Sequence, residues 1–104
     1  MSVKELMQTI SEAGFNVHYY TAPHGVKMPY VVVGDYAENY DYADDRYNNI
    51  ITSVQVDYYT KTACDTDADT LRDILSELGS ISDKLLFYLD DEKCYHHVYD
   101  CEIT

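Results

Sequence analysis

Cys94, His96, His97 and Cys101 place four soft metal ligands within eight residues, the donor set of a zinc site. The spacing works against that chemistry. In a strand, successive side chains point to opposite faces, so Cys94 and His96 face away from His97 and Cys101. One tetrahedral ion cannot reach four ligands on two faces without a sharp bend. The segment therefore reads as a half-buried strand whose thiols and imidazoles fill a sheet face, and no metal is assigned.

Asp65-x-Asp67-x-Asp69 suggests a calcium loop, but that loop needs Gly at its sixth position and Glu at its twelfth. Thr70 and Ser76 stand there instead. The same carboxylates suit the N-terminus of a helix, where they cap amides and meet the positive end of the macrodipole. Nucleophile signatures are missing: the chain has no G-x-S-x-G, no H-E-x-x-H and no phosphate-cradling glycine loop. Asp44/Asp45 and Asp90/Asp91 sit in polar runs where solvated carboxylates are ordinary. Of the four glycines, Gly14, Gly25 and Gly79 fall at stops and turns. No catalytic residue and no cofactor is assigned, and the chain is not expected to be an enzyme.

The elements that carry these residues follow from periodicity. Ser2-Val3-Lys4-Glu5 has the form of a capping box. Val3, Leu6, Met7, Ile10 and Ala13 then mark one helical face up to Gly14, predicting a helix over roughly 2–13. Asn16–Thr21 reads as a short strand, closed by the turn residues Ala22-Pro23-His24-Gly25. Tyr30–Tyr36 is β-branched and aromatic, and reads as a strand after Pro29. Residues 37–49 follow neither period and read as a long loop or an extended hairpin tip.

Ile50–Thr60 alternates most clearly, with Ile50, Val54, Val56 and Tyr58 on one face and Ser53, Gln55 and Asp57 on the other. Ala68, Leu71, Ile74, Leu75 and Leu78 predict a second helix, stopped by Gly79. Lys84–Leu89 and Tyr95–Ile103 close the chain as two strands joined by Asp90-Asp91-Glu92-Lys93. The order α-β-β-β-α-β-β indicates an α+β domain: one mostly antiparallel sheet with two helices packed on one face.

Composition bounds the function. A chain of 104 residues reads as a single domain, 1–104. Its 7 Lys+Arg against 19 Asp+Glu leave a net charge of −12. That balance argues against binding a phosphate backbone or anchoring to an anionic membrane surface. The longest aliphatic run, Val31–Val33, falls far short of the ~20 apolar residues of a membrane span. Lys4, Glu5 and Glu12 interrupt any signal-peptide core. Three cysteines make no disulfide framework, so the chain is expected in a reducing cytosol.

The chain holds 12 Tyr and no Trp. Tyr19, Tyr20, Tyr58, Tyr59, Tyr88, Tyr95 and Tyr99 fall on strands, where tyrosine is a good filler of half-buried positions. Tyr36, Tyr40, Tyr42 and Tyr47 crowd the acidic 37–49 region. Aromatic residues on a loop have no core to fill, so Tyr40, Tyr42 and Tyr47 read as contact residues.

Three segments carry a resemblance: Pro29-Tyr30-Val31-Val32-Val33, then Asp41-Tyr42-Ala43-Asp44-Asp45-Arg46-Tyr47, then Val54-Gln55-Val56-Asp57-Tyr58-Tyr59-Thr60-Lys61. With the closing Glu92–Tyr99 stretch, the chain resembles the tail-completion (tail-terminator, head–tail joining) proteins of long-tailed phages and prophages of Gram-positive bacteria. The resemblance implies a structural protein of the virion, made in the host cytoplasm. Its copies would form a ring, typically hexameric, that caps the tail tube protein's polymer and meets the head-completion or connector protein. DNA would pass through the lumen without specific binding, which an acidic wall favours. Asp41, Asp44 and Asp45 would then face the lumen or a neighbouring subunit, with Arg46 pairing a neighbour's carboxylate.

Charge alone also fits another class, a small acidic binding module or DNA-mimic inhibitor of a basic protein. Such a mimic needs carboxylates ranked along one face. Here they concentrate at a helix start, one loop and one turn.

Overall fold

A computed structural model describes the backbone of residues 2–43 and 46–103, and the side chains of residues 2–38 and 51–103. The elements follow the expected order: α1 (Val3–Glu12), β1 (Val17–Tyr19), β2 (Tyr30–Ala43), β3 (Arg46–Thr60), α2 (Thr66–Leu78), β4 (Ser80–Leu89) and β5 (Cys94–Ile103). The five strands form one sheet in the order β1-β2-β3-β5-β4. β1 runs parallel to β2, and every other pairing is antiparallel.

Both helix starts use the caps their sequences predict. The Glu5 amide donates to Ser2 Oγ at 3.1 Å. Asp65 accepts the Asp67 amide at 2.8 Å, so the acidic triplet opens α2 as a cap. Gly14 ends α1 at φ +102, a left-handed conformation that glycine adopts without penalty. Gly79 ends α2 for a different reason. Its backbone is extended, but a Cβ there would lie 2.3 Å from the Glu102 carbonyl oxygen. Close approach of α2's end to β5, rather than a left-handed turn, requires glycine.

The helices cover one side of the sheet over β2, β3 and β5. Leu6 and Ile10 of α1 and Leu71 and Leu75 of α2 bury against Val31, Val33, Val54, Val56, Tyr58, Tyr99, Cys101 and Ile103. Each fully buried aliphatic side chain contributes roughly 1.5–3 kcal/mol by leaving water. Tyr58 and Tyr99 are buried with their hydroxyls satisfied. Tyr58 donates to Asp65 Oδ2 at 2.9 Å, and Tyr99 donates to the Ala68 carbonyl at 3.0 Å. Thr60 Oγ1 also donates to Asp65 Oδ2, at 2.7 Å, so the cap of α2 is tied directly to β3.

β2 and β3 form a longer hairpin than the rest of the sheet needs. Among the described residues the last pair of β5 with β3 is Thr52↔Ile103. Beyond it the hairpin continues as a two-stranded ribbon, from Asn39↔Ile51 to Ala43↔Arg46. Of the two readings of 37–49, the hairpin tip is the one found: the backbone of Ala37–Ala43 is paired strand, not loop. The molecule is correspondingly elongated, 51 × 23 × 22 Å. β4 begins four residues earlier than its sequence pattern predicts, at Ser80, because an irregularity between Ile81 and Asp83 breaks its alternation.

Candidate functional site

Among the described residues the second face of the sheet carries no helix, and strand alternation decides what stands on it. On β3, Val54, Val56 and Tyr58 turn toward the helices, leaving Ser53, Gln55, Asp57 and Tyr59 on the open side. Register aligns Tyr30 with Tyr59, Tyr59 with His96, and His96 with Phe87. These side chains form a row across the sheet. Tyr30 stacks on Tyr59 with ring centres 4.9 Å apart, and Tyr59 stacks on His96 at 4.2 Å with planes only 14° apart. His18 meets Tyr30 edge-on at 6.3 Å, and Phe87 lies 6.2 Å from His96.

A polar cluster borders this row. His96 Nε2 lies 3.1 Å from Asp57 Oδ1. Gln55 Nε2 donates to both oxygens of the same carboxylate, at 3.0 and 3.2 Å. Partial burial, reinforced by the negative charge of Asp57, pushes the Tyr59 hydroxyl up to about 12, so it remains a neutral donor at any physiological pH. Among the described residues His96 has no hydroxyl or thiol partner. The Asp57–His96 pair thus fixes the imidazole against Tyr59, presenting a flat, stacked surface.

Toward the β1 edge, Tyr20 lays its ring over Gly34. A Cβ at that glycine would meet Tyr20 ring carbons at 3.0 Å. The hydroxyls of Tyr19 and Tyr20 both donate to Asp35, one to its carboxylate and one to its carbonyl oxygen. The bond from Tyr19 holds the Asp35 carboxyl below its ordinary range. Tyr20, Val32, Gly34, Tyr36, Gln55 and Asp57 surround a shallow depression of about 220 Å³.

The residues selected from sequence lie on the hairpin extension. Tyr40, Asp41 and Tyr42 are on β2, and Arg46 and Tyr47 begin β3. Backbone register sets Tyr42 opposite Tyr47 and Asp41 opposite Asn49. Asp44 and Asp45, and the side chains of all seven, lie outside the described residues. The strand tyrosines divide. Tyr58 and Tyr99 fill the core and Tyr59 and Tyr95 are half-buried, whereas Tyr19, Tyr20 and Tyr88 are exposed. Sequence reasoning missed the open-face row. Its signal was parity: Tyr59 and His96 occupy the positions that alternate with the buried ones.

The four soft ligands separate as alternation requires. His97 faces Tyr58 on the helix side, with ring centres 5.8 Å apart, while His96 lies on the open side. Compared with protein-family models and with curated proteins, the chain matches none.

Proposed function

We propose that this chain is a structural phage protein that closes a tail tube as a ring and joins it to the head connector. The observation that carries the reading is the two-stranded ribbon beyond Thr52↔Ile103. An isolated two-stranded hairpin is at best marginally stable in water. A ribbon that outruns its own sheet gains stability by lying on a neighbour, and a ring supplies one for every copy. The ribbon also carries the Asp41–Tyr47 segment, one of the four stretches on which the family resemblance rests. A net charge of −12 per copy suits a conduit through which DNA slides without sticking.

In this reading Tyr40, Tyr42 and Tyr47 anchor the contact between copies, and Asp41, Asp44 and Asp45 face the lumen or the neighbour. Arg46 pairs a neighbour's carboxylate. Charge reversal in Asp44→Lys/Asp45→Lys is expected to leave the chain folded while lowering virion yield and infectivity. Unchanged yield and infectivity in that double variant would remove the ribbon's carboxylates from the account.

A further inference from the structure

β4 is the outermost strand on the side of the sheet away from β1. Its inner edge pairs with β5, leaving the outer row of backbone amides and carbonyls as an open template for another strand. Its side chains are exposed on both faces: Leu85 44%, Leu86 56%, Phe87 47% and Tyr88 53%. Leu85 and Phe87 stand on the open side, opposite Val98 and His96, while Leu86 and Tyr88 stand on the helix side, opposite His97 and Tyr95. Apolar exposure on both faces of one strand is what a missing neighbour strand leaves behind. A single added strand would give all four a cross-strand neighbour.

Charge selects the occupant. Most of this surface repels a second copy, since the chain carries −12. Between Asp83 and Asp90, however, β4 holds no carboxylate, and its one charge is Lys84. We propose that β4 is the seam of a two-fold pair of chains, its outer edge joined antiparallel to the same edge of a second copy with Leu86 facing Leu86. In that register Leu85 lies beside Phe87 of the second copy, and Lys84 lies beside its Tyr88. Asp83 meets Leu89, so no carboxylate faces another. Sliding the register to centre on Phe87 would set Asp83 against Asp91. The contact uses a different surface from the ribbon and does not rest on the ring reading.

Directly opposed residues in an antiparallel pair have Cα atoms ~4.5–5.5 Å apart, within disulfide reach. Cys64 is the one exposed native thiol, so Cys64→Ser supplies the background. Under mild oxidation Leu86→Cys in that background is expected to give a covalent two-chain species. Lys84→Cys is expected to give none by itself, but to cross-link when mixed with Tyr88→Cys. Leu86→Lys is expected to halve the solution mass of the pair while the circular dichroism spectrum stays unchanged. Equal cross-linking of Leu86→Cys and Lys84→Cys, or no cross-link from Leu86→Cys, would overturn the seam. So would a wild-type chain that stays single at every concentration and takes up only a strand from another protein.

Discussion

The two faces of the sheet are built from the same strands, one residue apart in phase, and they do different work. On the helix side Val54, Val56, Tyr58, Tyr99 and Cys101 are sealed under α1 and α2. On the other side Tyr30, Tyr59 and His96 stack in a row with Phe87 tilted beside them, and no helix of the described residues lies above. The first face uses tyrosine for volume and satisfies each hydroxyl internally. The second uses ring planes as a surface, held flat by Asp57 and His96. Stability therefore belongs to the covered face. The β4 edge and the ribbon are the surfaces to which the two proposals assign contacts.

That division breaks most easily in the core. Leu71→Ala is expected to cost about 2–5 kcal/mol in chemical denaturation, because Leu71 is fully buried beneath the sheet. Phe87→Ala on the open face, measured in the Leu86→Lys background that keeps the chain single, is expected to cost less than about 1 kcal/mol, because the ring there already meets water. Equal losses would mean that the open face is part of the core.

Asp65→Ala should come next, at about 1–3 kcal/mol, since it removes a helix cap and orphans the hydroxyls of Tyr58 and Thr60. Burial pushes the Asp65 carboxyl up, but hydrogen bonds from Thr60, the Asp67 amide and Tyr58 outweigh it and hold it below 3.8. A carboxyl depressed by folding contributes stability that is present above its unfolded pKa and lost as pH falls through the folded value. Acid unfolding should therefore begin at higher pH in Asp65→Asn, which keeps the cap without the charge.

The smallest effect concerns His97. Burial first, then the nearby Lys84 charge, lower its pKa from 6.5, and its Nδ1 is buried without a partner among the described residues. Folding favours the neutral ring, so its contribution is present above 6.5 and falls away as pH drops through the lowered folded value. Thermal melts should show a loss from about pH 7.5 to about pH 5.5 that is reduced in His97→Gln. An identical loss in the variant would assign the pH dependence elsewhere.

Much of this was legible in the residues. The capping box at Ser2, the acidic start of α2 and the alternation of Ile50–Thr60 are local patterns, and local rules read them. The α+β order followed from those elements. Residues 37–49 resisted because Tyr42, Asp44 and Asp45 obey no period, so nothing local separates loop from paired ribbon. The open-face row was hidden for another reason. Tyr30, Tyr59, His96 and Phe87 meet only through register between strands far apart in sequence, and one sequence does not state register. The early part of β4 was missed because the irregularity after Ile81 erases its alternation.

The most direct measurement is the mass of the wild-type chain across a concentration series, by light scattering with negative-stain imaging. It should be set beside the Tyr40→Ser/Tyr42→Ser/Tyr47→Ser variant. The account predicts closed rings of about six copies for the wild type, single or joined in twos through β4, and no assembly beyond pairs in a variant with an unchanged denaturation midpoint. Rings that persist in the variant, or a wild type that remains single throughout, would contradict it.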